Sequence, residues 1–567
     1  MIWKYRPINK TLALELATSL GQPYKYGEFL TARGFESPTE VSKFLTQDLS
    51  SLPSPETMPG LLKATELLLW ARRENKIVAI AGDYDVDGLT ATALLTRVLT
   101  AYGLKVISRV PNRLTEGYGL SSLAVSELVA KGAGLLVTVD CGVSDKEAVE
   151  TANRAGLPVV ITDHHQLPPV LPEAVSILNP HLGGGWEKDP LAGVGVAFIL
   201  AWGLKMALKK EGLEFPNFSL VENLALVALG SIADLAPLKG PNRVLVQFGL
   251  NFLAKVNWAG LTALRKKALK NEEFISTRDV GFRLAPRLNA AGRLGQTEVA
   301  LDILLEEDPD KATALAERLE ALNRTRLSDQ TKLLAEALDG LEEEDMVFGE
   351  KRTVVLAGPG WPKGLLGLVA TRVVEATNRP TIILSIDGDM AVGSGRSVSG
   401  FNLFQALEPT RDLCLSMGGH AMAAGLKIHV DNLRDFKAAF EEAAARQVPL
   451  DREASLDVDF DLDLADLDIV GERLAQLEPF GHSNPNPVAV VKNVQVLEVA
   501  PTKSGGDKHL TVRLFDGSSK VKLIGFGLAP RIQEIGNRLD VAVTLDTERF
   551  GRREPNWRLL DFKRPTA

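Results

Sequence analysis

The sequence predicts an α/β protein of several domains: a parallel-sheet domain, a long helical linker, a second α/β domain and a C-terminal β-barrel. Three observations predict it. Apolar runs alternate with helical stretches from about residue 75 to 180, a charged helical stretch spans Asp310 to Leu341, and short β-rich runs follow Val488. At 567 residues the chain exceeds one hydrophobic core, and size alone gives roughly three to four domains. The expected partition is an N-terminal segment over 1–49, the parallel-sheet domain over 50–270, the linker over 271–345, the second α/β domain over 346–450 and the barrel over 451–567.

Within the first domain, Lys76 to Ala81 reads as a buried strand and Leu89 to Tyr102 as a helix with Leu94, Leu95, Val98 and Leu99 on its apolar side. A strand near Val106, a helical stretch around Ser121 to Lys131, the strand Leu135 to Val139, a helix through Ala148 and Ala152, and the strand Pro158 to Thr162 repeat the βα unit. Residues from about 191 to 340 are mainly helical, including Val221 to Ala233. The second α/β domain opens with strands at Thr353 to Leu356 and Pro380 to Ser385 and ends in an alanine-rich helix. Beyond the acidic stretch Asp451 to Asp468, the runs Val488 to Val499, His509 to Phe515 and Val521 to Phe526 are separated by turn signals at Ser504 to Asp507 and Asp516-Gly517.

Composition narrows the class. The hydrophobic fraction of 45% and charged fraction of 24% are those of an ordinary globular chain. Cys141 and Cys414 stand far apart without ligand spacing, which excludes a disulfide framework or thiolate zinc site and fits a reducing cytoplasm. The N-terminus lacks an apolar signal core and no run is long enough to span a bilayer, so a soluble cytoplasmic protein is expected, with no membrane partner. The net charge of −8 offers no global reason to expect nucleic acid, but 72 acids and 64 bases can still segregate into an acidic centre and a basic groove.

Ligands of open α/β sheets bind beyond the carboxyl ends of the strands. Here three predicted strands run into Gly82-Asp83-Tyr84-Asp85-Val86-Asp87-Gly88, Asp140-Cys141-Gly142 and Asp163-His164-His165. Carboxylates crowded on one edge cannot all stay ionised without cations. Carboxylate oxygen mixed with imidazole suits Mn2+ or Mg2+ and favours zinc less. Asp234, after the apolar run Leu224 to Ile232, is a candidate to close the site. Taken singly, each acid reads as a helix N-cap and each histidine as a locally bonded side chain. Asp145 and Asp163 keep a capping or supporting reading, whereas three acids in five residues together with Asp140 and His164-His165 favour metal binding.

These residues resemble the DHH phosphoesterase superfamily, whose signature matches Asp163-His164-His165 and whose first motif matches Asp83 to Gly88. Further segments are similar to the RecJ family of single-strand-specific DNA exonucleases: Pro111-Asn112-Arg113 before Glu116-Gly117-Tyr118-Gly119-Leu120, Arg287 to Leu294, Gly393 to Ser397, Gly418 to Gly425 and Glu478-Pro479-Phe480-Gly481. The resemblance runs from about residue 50 nearly to the end. It implies a DHH catalytic domain, a DHH-associated substrate-binding domain and an oligonucleotide-binding barrel. It also implies two divalent ions, Mn2+ or Mg2+, with Asp83 and Asp85 serving one, His164 and Asp234 the other, and Asp87 and Asp140 near both. Asp87, Asp140 and His165 form the expected catalytic group, His165 orienting a ligand or stabilising the phosphate. A two-metal site hydrolyses phosphodiesters without a protein nucleophile, consistent with the absence of a Ser-His-Asp or Cys-His pattern.

The resemblance further implies 5′-to-3′ hydrolysis of single-stranded DNA to mononucleotides in recombinational and mismatch repair, and association with single-strand-binding protein and a RecQ-type helicase; the sequence leaves the oligomeric state undetermined, with a monomer as the default expectation. Arg113, Arg293 and Arg396 sit in turn or glycine-rich segments where a guanidinium reaches a phosphate. With Ser394 and His420 they are the expected substrate-binding residues, though each arginine alone also reads as a solvated surface charge; Lys503, Lys508 and His509 suit oligonucleotide binding by the barrel and equally a solvated hairpin. Two departures stand out: Trp361-Pro362-Lys363-Gly364 where many relatives carry histidine after the tryptophan, and Ser483 where glycine is common. The rival readings are a DHH phosphoesterase of short oligoribonucleotides, cyclic dinucleotides or pyrophosphate, and a non-catalytic DNA-binding scaffold.

Overall fold

Strand β1 (Ile2–Tyr5) opens the chain, and five strands then build the first large sheet: β2 (Ile77–Gly82), β3 (Lys105–Arg109), β4 (Ala133–Val139), β5 (Val159–Thr162) and β6 (Ser176–Leu178). The computed structural model describes residues 1–270, 272–348, 351–447, 455–502, 508–549 and 552–565. The sheet order is β3-β2-β4-β5-β6 and every pairing is parallel. Both of its faces are covered, so its central strands are near-continuous apolar runs. Val78, Ile80, Leu135 and Val137 enter one core, while Ala79, Ala81, Leu136 and Ile161 enter the core on the opposite face. The expected helix after β2 begins three residues early, as Val86–Ala101, because Asp85 caps it. The helix expected from Val221 divides into a 3₁₀ turn, Leu220–Asn223, and the α-helix Leu224–Ala233.

The linker is one helix of 40 residues, Pro309–Phe348, and therefore about 60 Å long at 1.5 Å per residue. Its first half places Ala316 and Leu319 in the core of the parallel-sheet domain; its second half places Leu333, Ala337 and Leu341 against the next domain. That domain holds β7 (Val354–Pro359), β8 (Thr381–Asp387), β9 (Met390–Arg396), β10 (Cys414–His420) and β11 (Ala423–His429), in the order β10-β11-β9-β8-β7. Only β7 and β8 are parallel. The glycine-rich motifs at 393–397 and 418–425 thus form antiparallel strands, which glycine's low strand propensity conceals.

Strands β12 (Ser455–Val458), β13 (Phe460–Asp461), β14 (Val488–Pro501), β15 (Leu510–Phe515), β16 (Lys520–Gly525), β17 (Arg538–Arg549) and β18 (Arg552–Lys563) complete the chain. β13 to β18 form one sheet, closed into a barrel by β14 pairing with both β15 and β17. The expected turn at 504–507, Lys503 and the start of the acidic stretch, 451–454, lie outside the described residues. The first 49 residues are not a separate unit. β1 pairs in parallel with β12, and Leu16, Phe29, Leu30 and Val41 share a core with the barrel.

Two arginines fasten these parts. Arg33 makes a bidentate pair with Asp459 at 2.6 and 2.7 Å. Arg243 is buried among three bodies: it donates to the carbonyls of Leu477 (2.9 Å) and Glu478 (2.6 Å) and lies 3.9 Å over the Phe44 ring. Burial pushes its guanidinium down to about 10.

Ser483, on the loop that joins Arg243 to the barrel, has a φ of 63°, which explains why glycine suits the position. A side chain costs about 1 kcal/mol in the left-handed region, and Ser483 is exposed. Ser483→Gly is expected to raise stability by roughly 0.5–1 kcal/mol in denaturant unfolding.

Candidate metal centre and phosphate pocket

Because β2, β4 and β5 are parallel neighbours, their carboxyl ends deliver Asp83, Asp140 and Asp163 to one edge of the sheet. Asp85 follows as the N-cap of the helix Val86–Ala101, one oxygen accepting from the amides of Asp87 (2.9 Å) and Gly88 (3.1 Å). Asp87 is fully buried, and its two oxygens accept from the amides of Gly193 (2.6 Å) and Val194 (2.9 Å) at the start of the helix Gly193–Lys210. A side chain at Gly193 would strike Asp140 at 2.6 Å, so this approach requires glycine. Asp140 leaves β4 with a φ of 58°.

His164 joins these acids across the cleft. Its Nε2 lies 3.0 Å from Asp140 Oδ1 and 3.8 Å from oxygens of both Asp87 and Asp234, the latter ending the helix Leu224–Ala233. Three overlapping groups result, Asp83-Asp85-Asp140, Asp87-His164-Asp234 and Asp140-His164-His165, each with ligand atoms within 4.8 Å of one another.

The buried Oδ1 atoms of Asp83 and Asp140 accept no hydrogen bond, Asp140 Oδ1 facing His164 without hydrogen-bond alignment. Unpaired buried carboxylates are costly. Burial, then neighbouring acids, raise Asp83 and Asp140 well above the usual carboxylate range and push Asp87 and Asp234 up to about 7. Hard divalent cations fit this donor set, since they replace the missing partners and neutralise the repulsion. Asp83, Asp85, Asp140, His164 and Asp234 are free to serve as ligands. Asp87 belongs to the same set, since each of its oxygens accepts one amide and keeps a further lone pair.

His165 is held differently. Asp163 accepts from the amides of Val143, His164 and His165 and lies 2.7 Å from His165 Nδ1. Burial pulls the imidazole down, but the Asp163 hydrogen bond and the surrounding acids push it up to about 9. The Tyr118 hydroxyl sits 3.1 Å from His165 Nδ1 and 3.2 Å from Nε2. Sequence reasoning assigned Tyr118 no role. Its available signal was the pair of flanking glycines, Gly117 and Gly119, both left-handed, with φ of 83° and 87°. Asp145 supports this loop by accepting from the Leu120 amide at 2.8 Å.

A cationic pocket adjoins the acids. Arg113 lies 4.8 Å over the ring of Tyr84, which stands between Asp83 and Asp85. Arg293 donates to the carbonyl of Gly364 at 3.0 Å across the domain boundary, and Arg396 donates to Ser394 Oγ at 3.0 Å. Burial first, then Arg113, Arg326 and Arg396, push Arg293 down to about 9; Arg396 is lowered by burial and by Arg113. None of the three pairs with a carboxylate among the described residues. Gly367 makes room for Arg396 and Ser394, since a side chain there would meet them at 2.6 and 3.0 Å. Half-buried guanidiniums gathered without counter-charge suit an anion. His420 stands apart, exposed at the end of β10 and one strand beyond Arg396, because Ala423 pairs with both. Lys363, in the departure from the family pattern, pairs with Asp387 at 3.2 Å.

The fold and the site together define a DHH phosphoesterase. Residues 77–230 match the model of the DHH family N-terminal domain, 350–446 the DHHA1 domain and 456–561 the RecJ OB domain. The chain belongs to the RecJ family of single-stranded-DNA-specific exonucleases, hydrolases of phosphodiester bonds. It is 32% identical to the single-stranded-DNA-specific exonuclease RecJ of Bacillus subtilis, over 99% of this chain and 72% of that protein. The crystal structure of RecJ in complex with Mn2+ from Thermus thermophilus superposes with a TM-score of 0.83 at 31% identity, covering 100% of this chain and 80% of that one. The Mg2+ complex from the same organism gives 0.78 at 30% identity, covering 100% and 79%.

Raised carboxyl pKa values make the metal-free fold lose stability as pH rises. The contribution of Asp87 and Asp234 is complete below the unfolded value of about 4 and is lost through about 7. Mn2+ takes the place of those protons. The gap between Mn2+-loaded and metal-free melting temperatures is therefore expected to widen from about pH 4 to about pH 7; a constant gap contradicts the assignment. Asp140→Asn, compatible with the left-handed backbone, should raise the metal-free melting temperature, shrink the Mn2+-induced shift and abolish hydrolysis.

Proposed function

We propose that the chain degrades single-stranded DNA from its 5′ end to mononucleotides with two divalent ions, Mn2+ or Mg2+, during DNA repair and recombination. The observation that carries this reading is the contiguity of two complementary sites: unpartnered carboxylate oxygens at the sheet edge and, beside Tyr84, an arginine pocket without counter-charge. The ions supply a nucleophilic water and stabilise the leaving oxygen when bound. Asp83, Asp85, Asp87, Asp140, His164 and Asp234 hold them, Asp87 also tying the helix Gly193–Lys210 to the site. His165, kept protonated by Asp163, offers a cation and hydrogen-bond donor to the phosphate.

Arg113, Arg293, Arg396 and Ser394 take the terminal 5′ phosphate, which orients the strand and sets polarity; His420 borders its exit. An anion pocket next to the cleavage centre suits removal of one nucleotide at a time. In the cell the substrate would be a strand exposed by a RecQ-type helicase and covered by single-strand-binding protein.

End-labelled single-stranded DNA, duplex DNA and RNA with Mn2+ or chelator test the reading. Metal-dependent mononucleotide release from the 5′ label of single-stranded DNA is expected, whereas cleavage of only short RNA or cyclic dinucleotides transfers the chain to another DHH activity. Arg396→Ala should weaken DNA binding about tenfold and reduce the slope of log affinity against log salt by about 1. An unchanged slope removes Arg396 from the phosphate contacts.

A further inference from the structure

A cavity of about 490 Å3 opens where three parts of the chain meet, a volume typical of small-molecule sites. Phe35, Lys43 and Phe44 reach it from the N-terminal segment, Lys188 and Lys239 from the parallel-sheet domain, and Ser483 from the loop that leads into the barrel. None of the metal acids and none of the three arginines of the phosphate pocket borders it. Its walls are fixed by bonds already in place. Arg33 donates to the carbonyls of Pro485 and Asn486, each at 3.0 Å, and the Leu238 amide donates to the His482 carbonyl at 2.9 Å. The Arg243 guanidinium backs the Phe44 ring, which meets Phe35 edge-to-face at 5.3 Å.

The chemistry of the lining is mixed in a particular way. Arg33 is committed to Asp459, but Lys43, Lys188 and Lys239 have no carboxylate partner among the described residues. Three lysines against Glu40 and Asp189 leave a positive wall. These lysines come from three separate segments, so one phosphate cannot engage them all, whereas a chain of phosphates can; ammonium groups meet phosphate oxygens as point charges. The aromatic pair offers a surface for a base. Asp189, admitted beside Gly240 because a side chain there would meet its Oδ2 at 2.7 Å, is an acceptor for ribose hydroxyls. Ser483 adds a hydroxyl to the same wall where the family favours glycine, and holds a φ of 63° to do so.

We propose that this junction is a binding site for a free nucleoside polyphosphate, separate from the cleavage centre. Two of its walls continue into that centre along the chain. Asp189 stands four residues before Gly193, whose amide holds Asp87, and Lys239 stands five residues after Asp234. A ligand seated here ties the N-terminal segment, the parallel-sheet domain and the barrel loop together and braces the segment that anchors Asp87. It therefore stabilises the metal-free chain by binding only the folded form.

The test uses the full chain in chelator, with ATP as the probe and AMP and inorganic triphosphate for comparison, and reads affinity by calorimetry and the melting temperature. ATP should bind and raise the melting temperature, and both comparison compounds should bind roughly tenfold more weakly or worse. Lys43→Ala, Lys188→Ala and Lys239→Ala combined should weaken ATP about a hundredfold or more without changing the melting temperature of the unliganded chain. Phe35→Leu should bring ATP down to the affinity of inorganic triphosphate, Ser483→Gly should weaken it roughly threefold, and Arg396→Ala should leave it unchanged. No binding of ATP at about 1 mM, or affinity indifferent to the three lysines, overturns the site. Binding lost in Arg396→Ala and kept in the lysine variant places the nucleotide in the phosphate pocket and overturns it equally. Inorganic triphosphate binding as tightly as ATP overturns the nucleoside class of the ligand.

Discussion

Carboxylates crowded at one end of a parallel sheet are the constraint on which the rest of this structure depends. Asp83, Asp140 and Asp163 arrive there because their strands are adjacent and parallel; Asp85 and Asp87 arrive because the next helix starts at once. Burial makes each charge expensive and neighbouring acids make it more so. The fold answers in two ways. Asp163 is satisfied by three amides and His165, and Asp87 in part by the amides of a helix start, where the backbone dipole favours an anion. Asp83 and Asp140 retain bare buried oxygens, and that residual deficit makes the edge a cation site.

The opposite problem is solved a short distance away. Arg113, Arg293 and Arg396 come from the first domain, the segment before the long helix and the second domain, and they gather with no carboxylate among the described residues to neutralise them. Tyr84, between Asp83 and Asp85 in the chain, carries Arg113 over its ring, so an excess of negative oxygen and an excess of guanidinium adjoin there. The helix Pro309–Phe348 packs its two halves into two different cores and so makes that juxtaposition a property of the fold. Arg243 does the same for the barrel by bonding carbonyls of the loop that leads into it, while its guanidinium stacks on an N-terminal phenylalanine.

The sequence by itself determined the parts whose logic is local. An apolar run, an acid and an early glycine specify strand, turn and helix within a few residues, so the βα alternation, the acids at the strand ends and the long charged helix were all legible. The DHH and RecJ family membership was legible from the same residues. Tertiary structure decided what depends on distant pairing. β1 joins β12 across almost the whole chain, the glycine motifs become antiparallel strands, and β17 and β18 close a barrel of which only three strands were read. Only the folded chain shows that Asp87 is anchored by Gly193 and Val194, that Tyr118 meets His165, and that Lys43, Lys188 and Lys239 line one cavity. The physical reason is that residue type fixes what a side chain can bond, through its charge, shape and backbone preference, whereas the choice among many possible partners is made by packing and burial, which no short window of sequence contains.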